Sequence, residues 1–419
     1  MHDFVPPGLH RSETMQKNDH RVLGKRLDLF HFQDEAPGMA FWHPRGFALL
    51  RCLEEAVREL LAADGYQEVR TPQLLRRSIW EASGHWQHFY AGMFRVEEDP
   101  LEAALKPVSC PGHIGIAAQR APSYRQLPLR FAELGVVHRD EPSGTLHGLM
   151  RLRQFTQDDG HVFCRPDQVR AEVDRFVAGM VGFYRAFGFE HIALGLSLRP
   201  DERVGSDEQW DQAEAVLRDV LVQRGMAFQE QPGQGAFYGP KIEVALRDRE
   251  GRGWQCGTIQ VDFAMPERFG LDYVDAEGLR RPVAMLHRAM YGSLERFLGI
   301  LLEHYGARLP AWLAPVQVRV IPVSEHHAAS AAELARALGA ARLRAELDDR
   351  NESVSRRIVQ AEHDAAAHVL VLGDRELEQD SVAWRRHSGN EAVARTSIVD
   401  DLAKACRAPH FAATAADAR

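Results

Sequence analysis

Between residues 44 and 63, Leu49, Leu50, Leu53, Val57 and Leu60/Leu61 recur at helical spacing among charged positions, which predicts a long amphipathic helix stopped by Gly65. The stretch Tyr66–Pro72 alternates like a strand and ends at its proline. Short strands are predicted from about Leu127 to Phe163 and from Gly235 to Phe263, with helices over Asp167–Phe187, Ser206–Arg224 and Gly292–His304. Strands come in runs, with helices between them but without regular βαβ alternation. That order predicts an antiparallel sheet in an α+β fold. The segment Ala307–Pro315 breaks the pattern and reads as a linker. Beyond it the rhythm changes to strand Val316–Val323, helix Ala328–Leu338, strand Arg342–Asp348, helix Val354–Ala366 and strand His368–Leu372, a small α/β domain. The expected division is a polar lead-in over 1–19, a first domain over 20–312, a second over 313–407 and a tail over 408–419, frayed from Ala412 onward.

Composition narrows the class. A chain of 419 residues is too long for a single core. With 45% hydrophobic and 26% charged residues it reads as an ordinary globular protein. The formal net charge is −8, so a nucleic acid would have to meet a local basic face. Five scattered cysteines (Cys52, Cys110, Cys164, Cys256, Cys406) argue against a disulfide framework and for a reducing compartment. No apolar run is long enough to span a membrane, and the N-terminus lacks a signal or transit pattern, so the expected location is cytoplasmic, with no membrane partner.

Three strings carry most of the chemistry: Lys106–His113 (KPVSCPGH), His138–His161 (HRDEPSGTLHGLMRLRQFTQDDGH) and His287–Phe297 (HRAMYGSLERF). Each holds one soft or borderline metal ligand, Cys110, His161 and His287, and the last two add Arg139, Arg151 and Arg296. The combination suggests an enzyme that holds a metal-bound substrate against a nucleoside triphosphate. Singly, each element also has a plain reading. Alternation along a strand places Arg139 and Glu141 on one face, to meet a phosphate and a base or simply solvent. Ser293 can cap a helix whose first turn holds Arg296, facing an anion or forming a local surface pair. Cys110 reads equally as a core cysteine, and no close Cys/His spacing announces zinc.

Those strings, with Pro37–Gly46 (PGMAFWHPRG), Gly65–Pro72 (GYQEVRTP), Gly235–Ile242 (GAFYGPKI) and Trp254–Phe263 (WQCGTIQVDF), resemble the threonyl-tRNA synthetase family in order, from about Asp19 to about Leu402. The resemblance implies a class II synthetase catalytic core, a six- to seven-stranded antiparallel sheet with flanking helices, followed by a small α/β anticodon-binding domain. It implies ligation of L-threonine to tRNA(Thr) through a threonyl-adenylate, with one Zn²⁺ per subunit and Mg²⁺ accompanying ATP. By that resemblance Cys110, His161 and His287 hold the zinc, and Arg139 and Arg296 serve the ATP phosphates. Phe155 stacks on adenine, and Glu141 reads the base. Arg151, Gln157, Asp159, Tyr238, Lys241, Gln255, Thr258, Gln260 and Ser293 match the threonine, ATP and adenylate pocket. Asn351, Glu376 and Arg385 match anticodon-reading positions. A homodimer, with Gly65–Pro72 at its interface, and a trans-editing protein are further implied partners.

Departures from the family pattern accompany this. Val108-Ser109 stands where Met-Asn is usual, Gln234 where a glutamate is usual, and Ala365 and Ala367 where a basic residue and a proline are usual. Residues 1–19 alone precede the core, so the expectation is a short form without ubiquitin-like and editing domains and without cis editing of serine. The alternative is a paralogue of the same chemistry that loads a carrier protein or acts as an inhibitor-resistant duplicate.

Overall fold

The computed structural model describes residues 18–98, 101–119, 121–247, 253–386 and 389–411. Most of the lead-in and the tail from Ala412 onward lie outside the described residues; Asp19 lies within them and caps the helix His20–Arg26 by accepting the Arg21 N–H. The chain divides into two units, one formed by 1–31, 41–52 and 301–409, the other by 32–40, 53–300 and 410–419.

The second unit is built on an eight-stranded sheet. Its strands are β1 (Gln67–Glu68), β2 (Leu129–His138), β3 (Gln154–Cys164), β4 (Ile192–Ser197), β5 (Gln229–Gln231), β6 (Lys241–Arg247), β7 (Gly253–Asp262) and β8 (Ala284–Ala289), in the order β5-β4-β6-β7-β8-β3-β2-β1. The six inner strands are antiparallel throughout, and the short edge strands β5 and β1 pair in parallel with their neighbours. The Tyr66–Pro72 strand shrinks to the two residues of β1. Register matters more than strand count. Lys241 pairs with Gln260, Gln260 with His287, His287 with His161 and His161 with Phe131, so one row crosses five strands. Because strand side chains alternate, this row shares a face with Gln157, Asp159 and Thr258.

Four of the following helices lie where the sequence pattern places them; the other, over Cys110–Ala117, it does not predict. α1 runs over Pro44–Ala63, α2 over Cys110–Ala117, α3 over Val169–Ala186, α4 over Asp207–Gln223 and α5 over Leu294–Tyr305. On α3, Val169, Val173, Phe176, Val177, Met180, Phe183 and Tyr184 recur every three or four residues and are buried. Each such side chain contributes roughly 1.5–3 kcal/mol on burial. Ser206 and Gln209 form a capping box that starts α4. A small sheet of Leu74–Arg76, Leu101–Leu105 and Arg95–Glu98 precedes α2 in the chain; the sequence pattern does not predict it, because its strands are short and lack alternation.

The first unit holds a five-stranded sheet of β9 (Val318–Pro322), β10 (Ala345–Leu347), β11 (His368–Leu372), β12 (Ser381–Arg386) and β13 (Gly389–Ala394), ordered β10-β9-β11-β12-β13. The first three strands are parallel, as βαβ units require, and the last two form an antiparallel hairpin. Val318, Val320, Leu334, Leu338, Leu370, Leu372, Trp384, Ile398 and Leu402 form its core. The expected linker is not an exposed tether. Leu313 and Ala314 are buried, and Arg344 donates to the Ala314 carbonyl at 2.9 Å. Among the described residues no helix is long and apolar enough to cross a membrane.

Candidate active site

Cys110 opens α2, with Pro111 in its first turn, and His161 and His287 face each other from paired positions on β3 and β8. One ligand atom from each lies within 4.8 Å of the others, and all three residues are buried. The histidine tautomers follow from their outer partners. His287 Nε2 lies 3.1 Å from Asp262 Oδ2, while Asp262 Oδ1 accepts the N–H groups of Ala264 and Met265. His161 Nδ1 lies 2.8 Å from His113 Nδ1, and His113 Nε2 lies 3.2 Å from Glu133 Oε2. Each outer nitrogen thus has a partner that takes its proton's hydrogen bond, which leaves a lone pair on His161 Nε2 and on His287 Nδ1. Those two atoms are only 3.1 Å apart. Lone pairs at that distance repel unless a cation takes both. Burial holds the His161 imidazole well below its ordinary range, in the neutral form that ligates. Burial, then Asp159 and Asp262, push the Cys110 thiol up, a bias that a bound dication would invert. One thiol and two imidazoles fit zinc and leave open coordination positions for substrate.

Around this trio the row of polar side chains carries unmet hydrogen-bonding capacity. Gln157 Oε1, Gln260 Oε1 and Ser109 Oγ are buried without a partner among the described residues. Asp159 accepts the Ser109 N–H at 3.1 Å, and burial raises its carboxyl. The Tyr238 ring lies 4.8 Å from that of His287. Lys241 and Gln255 both reach Glu243, which also accepts from Ser197 Oγ at 3.0 Å. Thr258 Oγ1 lies 3.5 Å from Gln260 Nε2.

The guanidinium groups are fixed by backbone carbonyls, which leaves them charged and directed. Arg139 Nε donates to Pro107 O at 3.3 Å, and its guanidinium lies 5.2 Å from the centre of the Phe155 ring. Burial, then the nearby Arg296, lower the Arg139 pKa, the response of a cation that lacks its anion. Arg296 Nε donates to Met150 O at 2.7 Å, and Ser293 Oγ accepts the Arg296 N–H at 3.1 Å, so Ser293 does cap α5. One expectation is corrected. β2 ends at His138, so strand alternation does not carry Arg139 and Glu141; the chain turns there, with Arg139 N–H donating to Arg153 O and Arg153 Nε to Glu141 O. Glu141 is tied to Arg151 at 2.9 Å.

In the other unit Asn351 is exposed beyond β10, Arg385 lies on β12, and Glu376 accepts the Gly373 N–H at 3.0 Å. Ala365 sits at φ 57°, just after the helix Val354–His363. Sequence reasoning missed Asp262, His113, Glu133, Glu243 and Asp158. Only register and depth single them out, since no spacing marks them, even though His113, Asp158 and Asp262 lie inside the strings quoted above.

Residues 94–305 match the family model of the tRNA synthetase class II core domain (G, H, P, S and T), and residues 317–407 match that of the anticodon binding domain. Fold and site together define a class II synthetase core followed by an anticodon-binding domain. Over 383 residues the chain is 51% identical to the threonine–tRNA ligase of Dechloromonas aromatica (strain RCB), a match that covers 91% of this chain and 60% of that protein. The corresponding protein of Dichelobacter nodosus (strain VCS1703A) is 50% identical over the same shares. A solved structure described as the RNA-binding domain of threonyl-tRNA synthetase from Cryptosporidium parvum Iowa II superposes with a TM-score of 0.90 at 37% identity, covering 93% of this chain and 99% of that one. The chain belongs to the threonyl-tRNA synthetase family. It spans about 60% of the length of the curated relatives it matches.

Proposed function

We propose that this chain activates L-threonine with ATP and Mg²⁺ and transfers it to tRNA(Thr). The observation that carries the reading is the soft-ligand trio set into a row of unsatisfied polar side chains, with two anchored arginines beside it. In the first step a threonine carboxylate oxygen bonds to the α-phosphorus of ATP, and the bond to the bridging oxygen breaks to release pyrophosphate. In the second, a ribose hydroxyl of the tRNA 3′ end attacks the threonyl carbonyl and AMP leaves. The carboxylate needs no general base. The protein's task is to hold two anions in line and to receive charge growing on phosphate oxygens, the roles of Arg139 and Arg296. Zinc held by Cys110, His161 and His287 would supply two open positions for the amino and hydroxyl groups of threonine. Asp159 accepts from the amino group, Gln157 and Gln260 offer their free oxygens, and Phe155 gives the adenine a face to stack on. Asn351, Glu376 and Arg385 read the anticodon, with Ala365 contributing no charge there.

The deciding experiment is amino-acid-dependent ATP–pyrophosphate exchange followed by charging of tRNA transcripts. Threonine should drive exchange. Valine, which has no hydroxyl, should be rejected strongly, whereas serine lacks only a methyl and should be disfavoured by roughly 1–3 kcal/mol at this step. Equal activation of valine and threonine would overturn the pocket assignment. Exchange without transfer to tRNA(Thr) would favour the carrier-protein paralogue. Purified protein should hold one zinc per chain, and Cys110→Ser should lose metal and threonine activation together. Fully active protein without zinc by elemental analysis would refute that role.

A further inference from the structure

β3 presents Gln157, Asp159 and His161 on one face, and Asp158, on the other, is buried. Asp158 Oδ2 accepts the Met290 N–H at 2.6 Å, and Oδ1 accepts those of Tyr291 and Gly292 at 3.0 Å each. These three residues form the turn between β8, which carries His287, and α5, which carries Arg296. Amide donors just ahead of a helix have no helical carbonyl to meet, and a carboxylate has enough lone pairs to take all three. The turn has little freedom. Gly292 is at φ +74°, and a Cβ there would stand 2.6 Å from the Cys256 carbonyl oxygen. A second carboxylate works from the helix side. Glu295 accepts the Thr156 N–H at 2.8 and 2.9 Å and lies 3.2 Å from Ser293 Oγ, beside the Gln157–Ser293 bridge. Both carboxylates are buried, and Arg288 lies 4.0 Å from Asp158.

We propose that Asp158 and Glu295 are positioning residues for ATP, which clamp the 290–292 turn and the first turn of α5 onto β3 so that the Arg296 guanidinium is held in place before ATP binds. The inference rests on the reading of Arg296 as a phosphate ligand. An unclamped turn would leave Arg296 on a mobile helix end, and a misplacement of about 1 Å can cost on the order of a hundredfold in a reaction of this kind. Gln157, Asp159 and His161, on the threonine side, lie on the opposite face of β3 from Asp158.

The test uses the full chain, with ATP affinity from calorimetry and KM for each substrate from exchange. Asp158→Asn keeps the shape but turns an amide toward one of the three N–H donors, and Glu295→Ala removes the second contact. Each should weaken ATP binding and raise KM for ATP by on the order of tenfold, with KM for threonine within about twofold of wild type. Glu295→Gln keeps an acceptor for Thr156 and should restore most of the affinity. Adding Asp158→Asn to Arg296→Ala should weaken ATP binding no further than Arg296→Ala alone, because the effect runs through that side chain. Unchanged ATP affinity in both Asp158→Asn and Glu295→Ala, with only a lower melting temperature, would overturn the clamp, as would equal rises in KM for threonine and ATP. If the wild-type chain binds ATP but shows no threonine-dependent exchange, the activity reading fails, and ATP affinity still reads the clamp.

Discussion

Alanine at Arg139 or at Arg296 is expected to reduce threonine-dependent ATP–pyrophosphate exchange by about a hundred- to a thousand-fold, the usual consequence of removing one fixed donor to developing charge. The size of the effect follows from how each guanidinium is held. Each anchors its Nε on a backbone carbonyl, Pro107 O or Met150 O, which sets the direction of its other donors. A donor already oriented needs no reorganisation when the pentavalent phosphorus forms. Burial lowers the pKa of Arg139 and Arg296 lowers it further, so each arginine feels the other and both gain when a polyphosphate enters. Loss of Arg139 should therefore also weaken ATP binding, whereas folding should survive in both variants. Exchange within about threefold of wild type in either variant would remove that arginine from the reacting centre.

The sequence made the helices legible because α3, α4 and α5 display their apolar stripes at the expected period. The trio Cys110, His161 and His287 was not legible from spacing: 51 residues separate the first two and 126 the last two. Only the pairing of β3 with β8, opposite α2, brings them to one point, and register is a property of the folded sheet. The resemblance to a family supplied what local pattern could not. The residues that orient the trio stayed hidden for a further reason. His113, Glu133 and Asp262 act through depth and hydrogen bonding, and neither leaves a period in the sequence. Strands without alternation, such as Leu101–Leu105, and the hairpin of β12 and β13 were missed because their chain pattern does not distinguish them from loops.

The second large effect concerns stability and lies behind the trio rather than in it. Glu133 and Lys106 are buried, with Lys106 Nζ 2.7 Å from Glu133 Oε1; Lys106 also donates to Thr71 Oγ1 at 3.0 Å. Thr71 returns its N–H and its hydroxyl to the same carboxylate at 3.1 and 2.8 Å, and His113 approaches from the other side. Burial alone would raise the Glu133 carboxyl, but the hydrogen bonds from His113, Lys106 and Thr71 outweigh it and bring the pKa from 4.5 down to about 2. A carboxyl with a depressed folded-state pKa stabilises the fold above its unfolded value and loses that contribution as pH falls through the folded one. The shift corresponds to about 3 kcal/mol, fully present above pH 4.5 and lost toward pH 2. Glu133→Gln should thus destabilise the eight-stranded sheet by about 3–5 kcal/mol at neutral pH, since it leaves the Lys106 ammonium buried without its counter-charge. The difference from wild type should shrink below pH 4.5 and close near pH 2. Hydrogen exchange of the β2 and β3 amides across that range measures it directly. Lys106→Met together with Glu133→Gln should recover much of the loss, because a buried pair replaced as a unit leaves no orphaned charge. A gap between variant and wild type that stays constant from neutral pH down to about 2 would show that the Glu133 charge is not what holds this part of the sheet.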